Sequence, residues 1–319
     1  MTSKTILITG AAGYIGRLLA ERLRPDYDVV GTDLRVPEDA AIPMFALDIR
    51  DRALGEHMRA RGVTHVVHLA SVIESGRDRA RDFDIDVNGT RNVLEACLYA
   101  GVRHVTISSS GAAYGYHADN PAWIDEGDPI RGHDAFSYAA HKREVEELLA
   151  RYRRDNPQLQ QLIFRPGTVL GATTNNLITN LFTKPRLLAI QGSDSPFVFI
   201  WDQDVCDAIA HGINGDRAGI FNLAGDGALA IQEIARIVEK PLLILPPMAL
   251  SVGLAIGRAL GVTRYGPEQL DFLRYRPVLS NRRLKQELAY TPQKSSEETF
   301  RYWLQHARAR GIMPPARTL

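Results

Sequence analysis

This sequence predicts an α/β protein, a doubly wound parallel sheet with a smaller, interleaved C-terminal lobe. Three observations predict it. Short apolar runs alternate with amphipathic stretches through the first half of the chain, and the first run leads straight into Gly10-Ala11-Ala12-Gly13-Tyr14-Ile15-Gly16. After Pro166 the rhythm breaks, and segments rich in Thr, Asn, Gly and Pro surround short apolar pieces. Alternating strands and helices build a parallel sheet covered on both faces. On this reading residues 1–165, with 202–223 returning to them, form the sheet domain, while 166–201 and 224–319 form the lobe.

Lys4 to Thr9 reads as a strand buried on both faces, because Ile6, Leu7 and Ile8 leave no polar face to water. A helix follows, with Ile15, Leu18, Leu19 and Leu23 on one side and Arg17, Glu21 and Arg22 on the others. The same patterns predict strands at Asp28–Thr32, Met44–Leu47, His65–Leu69, His104–Ser108 and Gln161–Phe164, and helices over 51–61, 81–100 and 137–156. Later in the chain, 202–212 is expected to return as a helix and 219–223 as a strand. The run Leu242 to Leu260 is expected to line an apolar pocket or to pack as core.

The glycine turn has a chemical reading. Gly10 permits a tight turn, Gly13 lets backbone approach a ligand, and Gly16 lets the helix lie against the strand. The first amides of that helix then point at a pyrophosphate. Asp33, about 20 residues on at the end of the second strand, is placed to accept both ribose hydroxyls. Such a carboxylate repels a 2′-phosphate and favours NAD over NADP, although Arg17 and Arg35 lie near enough in sequence to serve the latter.

A second constellation lies downstream. Tyr138 and Lys142 are four apart on a predicted helix and share a face, so a phenol and an ammonium look into one cleft. A phenol ordinarily ionises near pH 10, so a base working near neutrality needs a cation close by. Ser110, after the fifth strand, can hydrogen-bond a substrate oxygen and hold it against the phenol. Ser109 is the alternative in that register. His133 and His141 read as structural, since a histidine between Tyr138 and Lys142 turns away from both.

Composition narrows the partners. Of 319 residues, 38 are Lys or Arg and 37 Asp or Glu, a net charge of +1 with no basic field for nucleic acid or an anionic membrane. Cys97 and Cys206 are far apart and give neither a disulfide framework nor metal-ligand spacing, and no metal is expected. The first residues lack the apolar core of a signal peptide, and Met248 to Gly257 is too short to span a bilayer, so a cytoplasmic location is expected.

The motifs together resemble the extended short-chain dehydrogenase/reductases, in the NAD-dependent epimerase/dehydratase group. Gly10 to Gly16 matches the GxxGxxG turn, Asp33 the ribose ligand, Asp48-Ile49 the pair that reads adenine, and His68-Leu69-Ala70 the stretch along the cofactor's phosphates. Asp86-Val87-Asn88-Gly89-Thr90 matches NVxGT, Ser108 to Gly115 the serine-rich turn, and Phe164-Arg165-Pro166 the Arg-Pro step, while 281–292 resembles the C-terminal signature. The resemblance implies that Tyr138 is the acid/base, that Lys142 binds the nicotinamide ribose and favours the phenolate, and that Ser110 orients the reacting oxygen. It further implies cofactor contacts from Gly10, Gly13, Tyr14, Ile15, Gly16, Asp33, Asp48, Ile49, Leu69, Ala70, Asn88, Ser108, Tyr138, Lys142 and Arg165, and a homodimer through helices 81–100 and 137–156.

Departures from the group bear on the substrate. The strand that normally carries an arginine for a sugar-nucleotide diphosphate reads Phe197-Val198-Phe199-Ile200-Trp201-Asp202, without one, and Lys184, Arg186, Arg274 and Arg276 are the candidates to replace it. The Phe-Asn-Val-Tyr-Gly run common after the sixth strand is also missing, and the segment from His68 to Asn88 is short. Three functions are therefore weighed: a dehydrogenase acting on a sugar-like or other small secondary alcohol or ketone, a nucleotide-sugar 4-epimerase that retains its NAD, and a dinucleotide sensor without chemistry. The intact Ser, Tyr and Lys argue against the sensor.

Overall fold

In the computed structural model, which describes residues 4–72, 78–263 and 266–315, the apolar runs become strands in the expected order. The first half comprises β1 (Thr5–Thr9), α1 (Tyr14–Leu23), β2 (Asp28–Asp33), β3 (Met44–Ala46), α2 (Leu54–Ala60), β4 (His65–His68), α3 (Arg79–Phe83), α4 (Gly89–Ala100), β5 (His104–Ser108), α5 (Ser137–Asp155) and β6 (Gln160–Pro166). The second comprises β7 (Thr168–Leu170), α6 (Leu177–Thr183), β8 (Leu187–Ile190), β9 (Phe199–Trp201), α7 (Asp202–Asn214), β10 (Gly219–Leu223), α8 (Ile231–Val238), β11 (Leu242–Leu245), α9 (Pro247–Ala259), α10 (Gln269–Arg274), α11 (Arg282–Gln286) and α12 (Ser296–Ala309).

Seven strands make one sheet in the order β10-β6-β5-β4-β1-β2-β3, every pairing parallel. The order reverses between β1 and β4, and the crevice outside the carboxyl ends of the strands at such a reversal is where ligands bind in open α/β sheets. Alternation along β1 assigns the two layers: Ile6 and Ile8 face a cluster with Leu19, Leu23, Cys206 and Ile209, while Leu7 faces one with Leu54, Leu94, Cys97 and Leu149. Both cysteines are free and buried in these layers.

The lobe has an aromatic core of its own, in which Phe182, Phe197, Phe199, Phe300 and Trp303 pack edge-on and stacked. Two short parallel pairs, β7 with β9 and β8 with β11, frame it.

Two expectations need correction. The helix predicted over 81–100 begins at Arg79 and widens into a π-helical turn, Asp84–Asn88, before α4; a π turn inserts an extra residue and rotates the side chains after it. The run 242–260 divides: Leu242 of β11 packs against the lobe core, whereas the helical part does not pack as core. No residue of α9 is buried, and Met248, Val252, Ile256 and Leu260, at helical spacing, are 78%, 53%, 54% and 72% exposed.

One buried polar cluster ties the edge strand β10 to the segment between β5 and α5. Asn222 of β10 accepts from the Tyr114 hydroxyl at 2.8 Å, donates through Nδ2 to the Ile124 carbonyl at 2.9 Å, and through its backbone amide to Glu126 Oε1 at 2.6 Å. Burial, with the Asp125 contact adding to it, pushes the Glu126 carboxyl up to about 7. The raised value means that Glu126 contributes stability fully below its ordinary range near 4.5, and that this is lost as the pH rises through about 7. Urea denaturation should therefore show the wild type losing about 3 kcal/mol more than Glu126→Gln between about pH 4 and about pH 8. Equal pH dependence in the two proteins would contradict this.

Candidate active site

Gly10 takes a left-handed conformation, φ 71°, and its amide and that of Ala11 donate to the Thr32 carbonyl of β2. A Cβ on Gly10 would meet the Ala70 nitrogen at 2.8 Å, and one on Gly16 the Gly10 oxygen at 2.2 Å, so the turn, the start of α1 and the end of β4 are in backbone contact. Gly13 is the N-cap of α1 and offers no capping side chain. Asp33, at the end of β2, accepts from the Ala12 amide at 3.0 Å and the Leu34 amide at 2.8 Å, which fixes the carboxylate beside the turn. Leu69 donates its amide to the Thr9 carbonyl, and Ala70 abuts Gly10. Open helix amides, a backbone with no side chain in the way and a strand-end carboxylate fit the pyrophosphate and ribose of a dinucleotide.

The other predicted cofactor residues divide. Ile15 packs against the core and Ile49 is buried against Gly89. The Tyr14 hydroxyl donates to Asp202 Oδ2 at 2.5 Å, tying the turn to α7, and burial with that carboxylate pushes the phenol up to about 12. Asp48 is gripped by Arg50, whose Nη2 lies at 2.6 Å, and this hydrogen bond holds its carboxyl below the usual range. Arg165 and Asn88 are both engaged by other protein groups. All three nitrogens of the Arg165 guanidinium are spent inside the protein, Nε and Nη2 on Glu146 at 2.8 and 3.0 Å and Nη1 on the Tyr114 hydroxyl at 2.7 Å, and the residue is 3% exposed. Asn88, at the end of the π turn, donates to Asp84 and accepts from Arg91.

Tyr138, Lys142 and Glu146 follow one another at four-residue spacing along α5. Lys142 is 6% exposed, donates to the Ser108 carbonyl at 3.2 Å and stands 5.5 Å from the centre of the Tyr138 ring. Ser110 caps the 3-10 turn Gly111–Tyr114, its hydroxyl accepting from the Ala112 amide at 3.1 Å, and is half-buried, whereas Ser109 is 2% exposed. His141 is pinned to Asp86, Nδ1 to Oδ2 at 3.0 Å, and His133 lies against His117 at 3.2 Å.

Two residues that the sequence reading did not single out for this site, Glu146 and Asp86, help to build it, and a third, Arg276, was one of several candidates. Glu146 was hidden because its partner Arg165 is on another element, although its spacing from Lys142 was a signal. Asp86 occupies the first position of the segment matched to NVxGT, and it, with Lys142, Ser108 and Ala70, lines a small cavity between β4, β5 and α5. Arg276, one of four cations considered, is the one laid against Phe197. Its guanidinium lies 3.9 Å over Phe197 and 5.5 Å over Phe272, and Nη1 donates to the Ser195 carbonyl at 2.9 Å. Buried Tyr116 is within electrostatic reach of both Arg276 and Tyr138. No carboxylate pairs with Arg276 among the described residues. Lys184 and Arg186 are exposed, and Arg274 stacks on Tyr275.

Among the described residues no helix is long and apolar enough to cross a membrane, and no group of three or more His, Cys, Asp or Glu could hold a metal ion.

A parallel sheet in this order, with a glycine turn at its reversal and a Tyr/Lys helix beside it, defines a Rossmann-type protein with a dinucleotide cradle. Residues 6–224 match the NAD dependent epimerase/dehydratase family, and the chain belongs to that family. It is 31% identical over 248 residues to N-acetyl-alpha-D-glucosaminyl-diphospho-ditrans,octacis-undecaprenol 4-epimerase of Escherichia coli O157:H7, covering 74% of this chain and 72% of that protein. It is 26% identical over 281 residues to the UDP-glucose 4-epimerase of Neisseria meningitidis serogroup B, covering 80% and 81%. Among solved structures, Thermotoga maritima UDP-glucose 4-epimerase with UDP-glucose superposes with a TM-score of 0.74 at 20% identity, covering 96% of this chain and 99% of the other. A short-chain dehydrogenase/reductase superfamily protein from Agrobacterium tumefaciens with bound NAD gives 0.74 at 22%, covering 96% and 98%.

The backbone contacts of the turn make a direct prediction. Gly16→Ala must displace the Gly10 carbonyl, and such overpacking costs about 1–3 kcal/mol. A lowered melting temperature together with loss of the thermal shift on adding NAD is expected; an unchanged NAD response would show that the turn does not hold the cofactor.

Proposed function

We propose that this protein catalyses NAD-dependent hydride transfer at a secondary alcohol or ketone of a sugar-type substrate, with Tyr138 as the acid/base. The observation that carries this reading is the placement of a half-buried phenol and a buried ammonium on one face of α5, beside the glycine turn. NAD, the cofactor named for the family, supplies the hydride acceptor when bound. The chain's own part is acid/base and positional. Ser110, at the mouth of the 3-10 turn, holds the substrate oxygen; Tyr138 removes its proton as the carbinol is oxidised and returns one on reduction. Lys142 keeps a positive charge against the phenol and, held by the Ser108 carbonyl, reaches toward the nicotinamide ribose. Pairing of α4 and α5 across a two-fold axis is the accompanying proposal for assembly, read by light scattering.

A 4-epimerase acting on a diphosphate-linked sugar is the second reading, and Arg276 favours it. The cation missing from the start of β9 is supplied from the segment after α10, laid on the face of the Phe197 ring that stands in the arginine's place. A half-buried guanidinium with no carboxylate partner among the described residues is suited to an anion. The relatives named for UDP-glucose and for a diphospho-undecaprenol sugar have a diphosphate in common.

Incubating the purified protein with NAD and either UDP-glucose or free glucose separates these readings. Accumulating NADH marks net oxidation, whereas a C4-inverted sugar without NADH marks epimerisation. In either case Tyr138→Phe should lower turnover by about a hundred- to ten-thousand-fold while NAD binding persists. Activity surviving that substitution would remove the acid/base role. Arg276→Ala should raise KM for the UDP-sugar by about ten-fold or more, the range for a lost charge-assisted contact; an unchanged KM would leave the diphosphate without its anchor.

A further inference from the structure

Lys142 poses a problem of charge. Its ammonium is nearly removed from water, makes one hydrogen bond among the described residues, to the Ser108 carbonyl at 3.2 Å, and forms no direct ion pair. A buried cation needs an opposite charge or a network of dipoles nearby. Beside it is a cavity of about 10 Å³, close to the space that one water requires. Its polar wall consists of Lys142, Asp86, Ser71, Thr90, His68 and the Ser108 backbone.

The titratable groups around this cavity can be taken in turn. On β4, His68 is held between Thr9 and Thr90 at 2.7 and 3.1 Å, and burial, with Lys142 adding to it, drives the imidazole down to about 3, so it is neutral. On α5, Glu146 is committed to Arg165, and Tyr138, its ring centre 5.5 Å from the Lys142 ammonium, is not among the residues that line the cavity. Asp86, 3% exposed at the π turn, is the remaining carboxylate among the described residues that line the cavity. Its Oδ1 accepts from the Ser71 hydroxyl at 2.9 Å and the Val72 amide at 2.8 Å, and its Oδ2 is paired with His141 Nδ1 at 3.0 Å. His141 is itself held edge-on by Phe83 at 5.6 Å. Burial pushes this carboxyl up, yet His141, the Val72 amide, Lys142 and Ser71 together outweigh it, and it lies below the usual range.

We propose that Asp86, fixed by His141, is the counter-ion of Lys142 across a single bridging water, and that this carboxylate sets the pH at which Tyr138 ionises. Asp86 and His141 are positioning residues: neither touches the reacting atoms, and both act through Lys142. The proposal rests on Tyr138 and Lys142 being the working pair of the proposed function. Its sign is definite. A negative charge behind Lys142 weakens the field that favours the phenolate, so removing it makes Tyr138 ionise at lower pH.

Two measurements on the NAD-loaded protein test this without a known substrate, so they stand even if the hydride-transfer reading fails. In the first, phenolate absorbance is followed against pH, with Tyr138→Phe subtracted to isolate one ring. Asp86→Asn, nearly isosteric, should lower that ionisation by about one pH unit, whereas Ser71→Ala, which removes a hydrogen bond to the same carboxylate but keeps its charge, should leave it in place. An unmoved titration in Asp86→Asn, or equal shifts in both variants, overturns the proposal. The second is a urea double-mutant cycle of Asp86→Asn and Lys142→Met. A counter-ion predicts that the double variant unfolds at a higher midpoint than the two single effects would sum to; strict additivity means that the two groups do not interact, and it overturns the proposal on its own.

Discussion

The bidentate pairing of Arg165 with Glu146 is the contact on which the rest of the site depends. Both residues are almost fully buried, at 3% and 6% exposure, where an unpaired charge of either sign would be severely unfavourable. The pair joins the middle of α5 to the end of β6, and Arg165 extends the connection to the Tyr114 hydroxyl and the Glu126 carbonyl. Because Glu146 is one turn beyond Lys142 and two beyond Tyr138, clamping it fixes the rotation of α5 about its own axis. The directions of the phenol and the ammonium follow from that rotation. Arg165 thus holds a helix in register.

A second set of constraints comes from the other side of the cleft. Extra width at Asp84–Asn88 turns Asp86 inward toward Lys142 while Asn88 is left with Asp84 and Arg91 on the outside. Tyr14 performs a comparable task for the glycine turn, since its hydroxyl reaches Asp202 at the start of α7. Gly171 has to be small for this contact to exist: a Cβ there would fall 1.8 Å from Asp202 Oδ2 and 2.3 Å from the Tyr14 oxygen. The glycine turn, α7 and the segment after β7 are therefore in contact at one point, Tyr14 with Asp202 beside Gly171.

How much of this was readable from the chain depended on the range of the interaction. The glycine turn was legible because a left-handed backbone and close strand-helix contact restrict residue type locally. Strands buried on both faces announced themselves as unbroken apolar runs, and Tyr138 with Lys142 as a helical pair. Residues whose role depends on a distant partner were not legible in the same way. Arg165 finds Glu146 across 19 residues and Arg276 finds Ser195 across 81, and nothing in the local pattern says which of several cations will be stacked and which solvated. Asp86 was quoted within its motif but passed over for Asn88, because only the π turn decides which of the two faces the cavity. The exposed apolar face of α9 was misread for a related reason: hydropathy records what a helix prefers, and burial also needs a neighbour to supply it.

The return of β10 to the sheet edge has a consequence for how the polypeptide is made. Strand β10 pairs with β6 only after the lobe segment 167–201 and helix α7 have been synthesised, and it brings Asn222 to close the cluster around Tyr114 and Glu126. Ser296, near the far end of the chain, then binds the carbonyls of Gly225 and Gly227 behind it. An emerging nascent chain can assemble β1 to β6 on the ribosome, yet it holds an unpaired strand edge and an unclosed polar cluster until residues 219–223 have been translated. Such late, non-local closure is slow and leaves intermediates prone to association. The sheet domain is thus a unit of architecture without being a unit of biosynthesis, and its two halves gain their stability together.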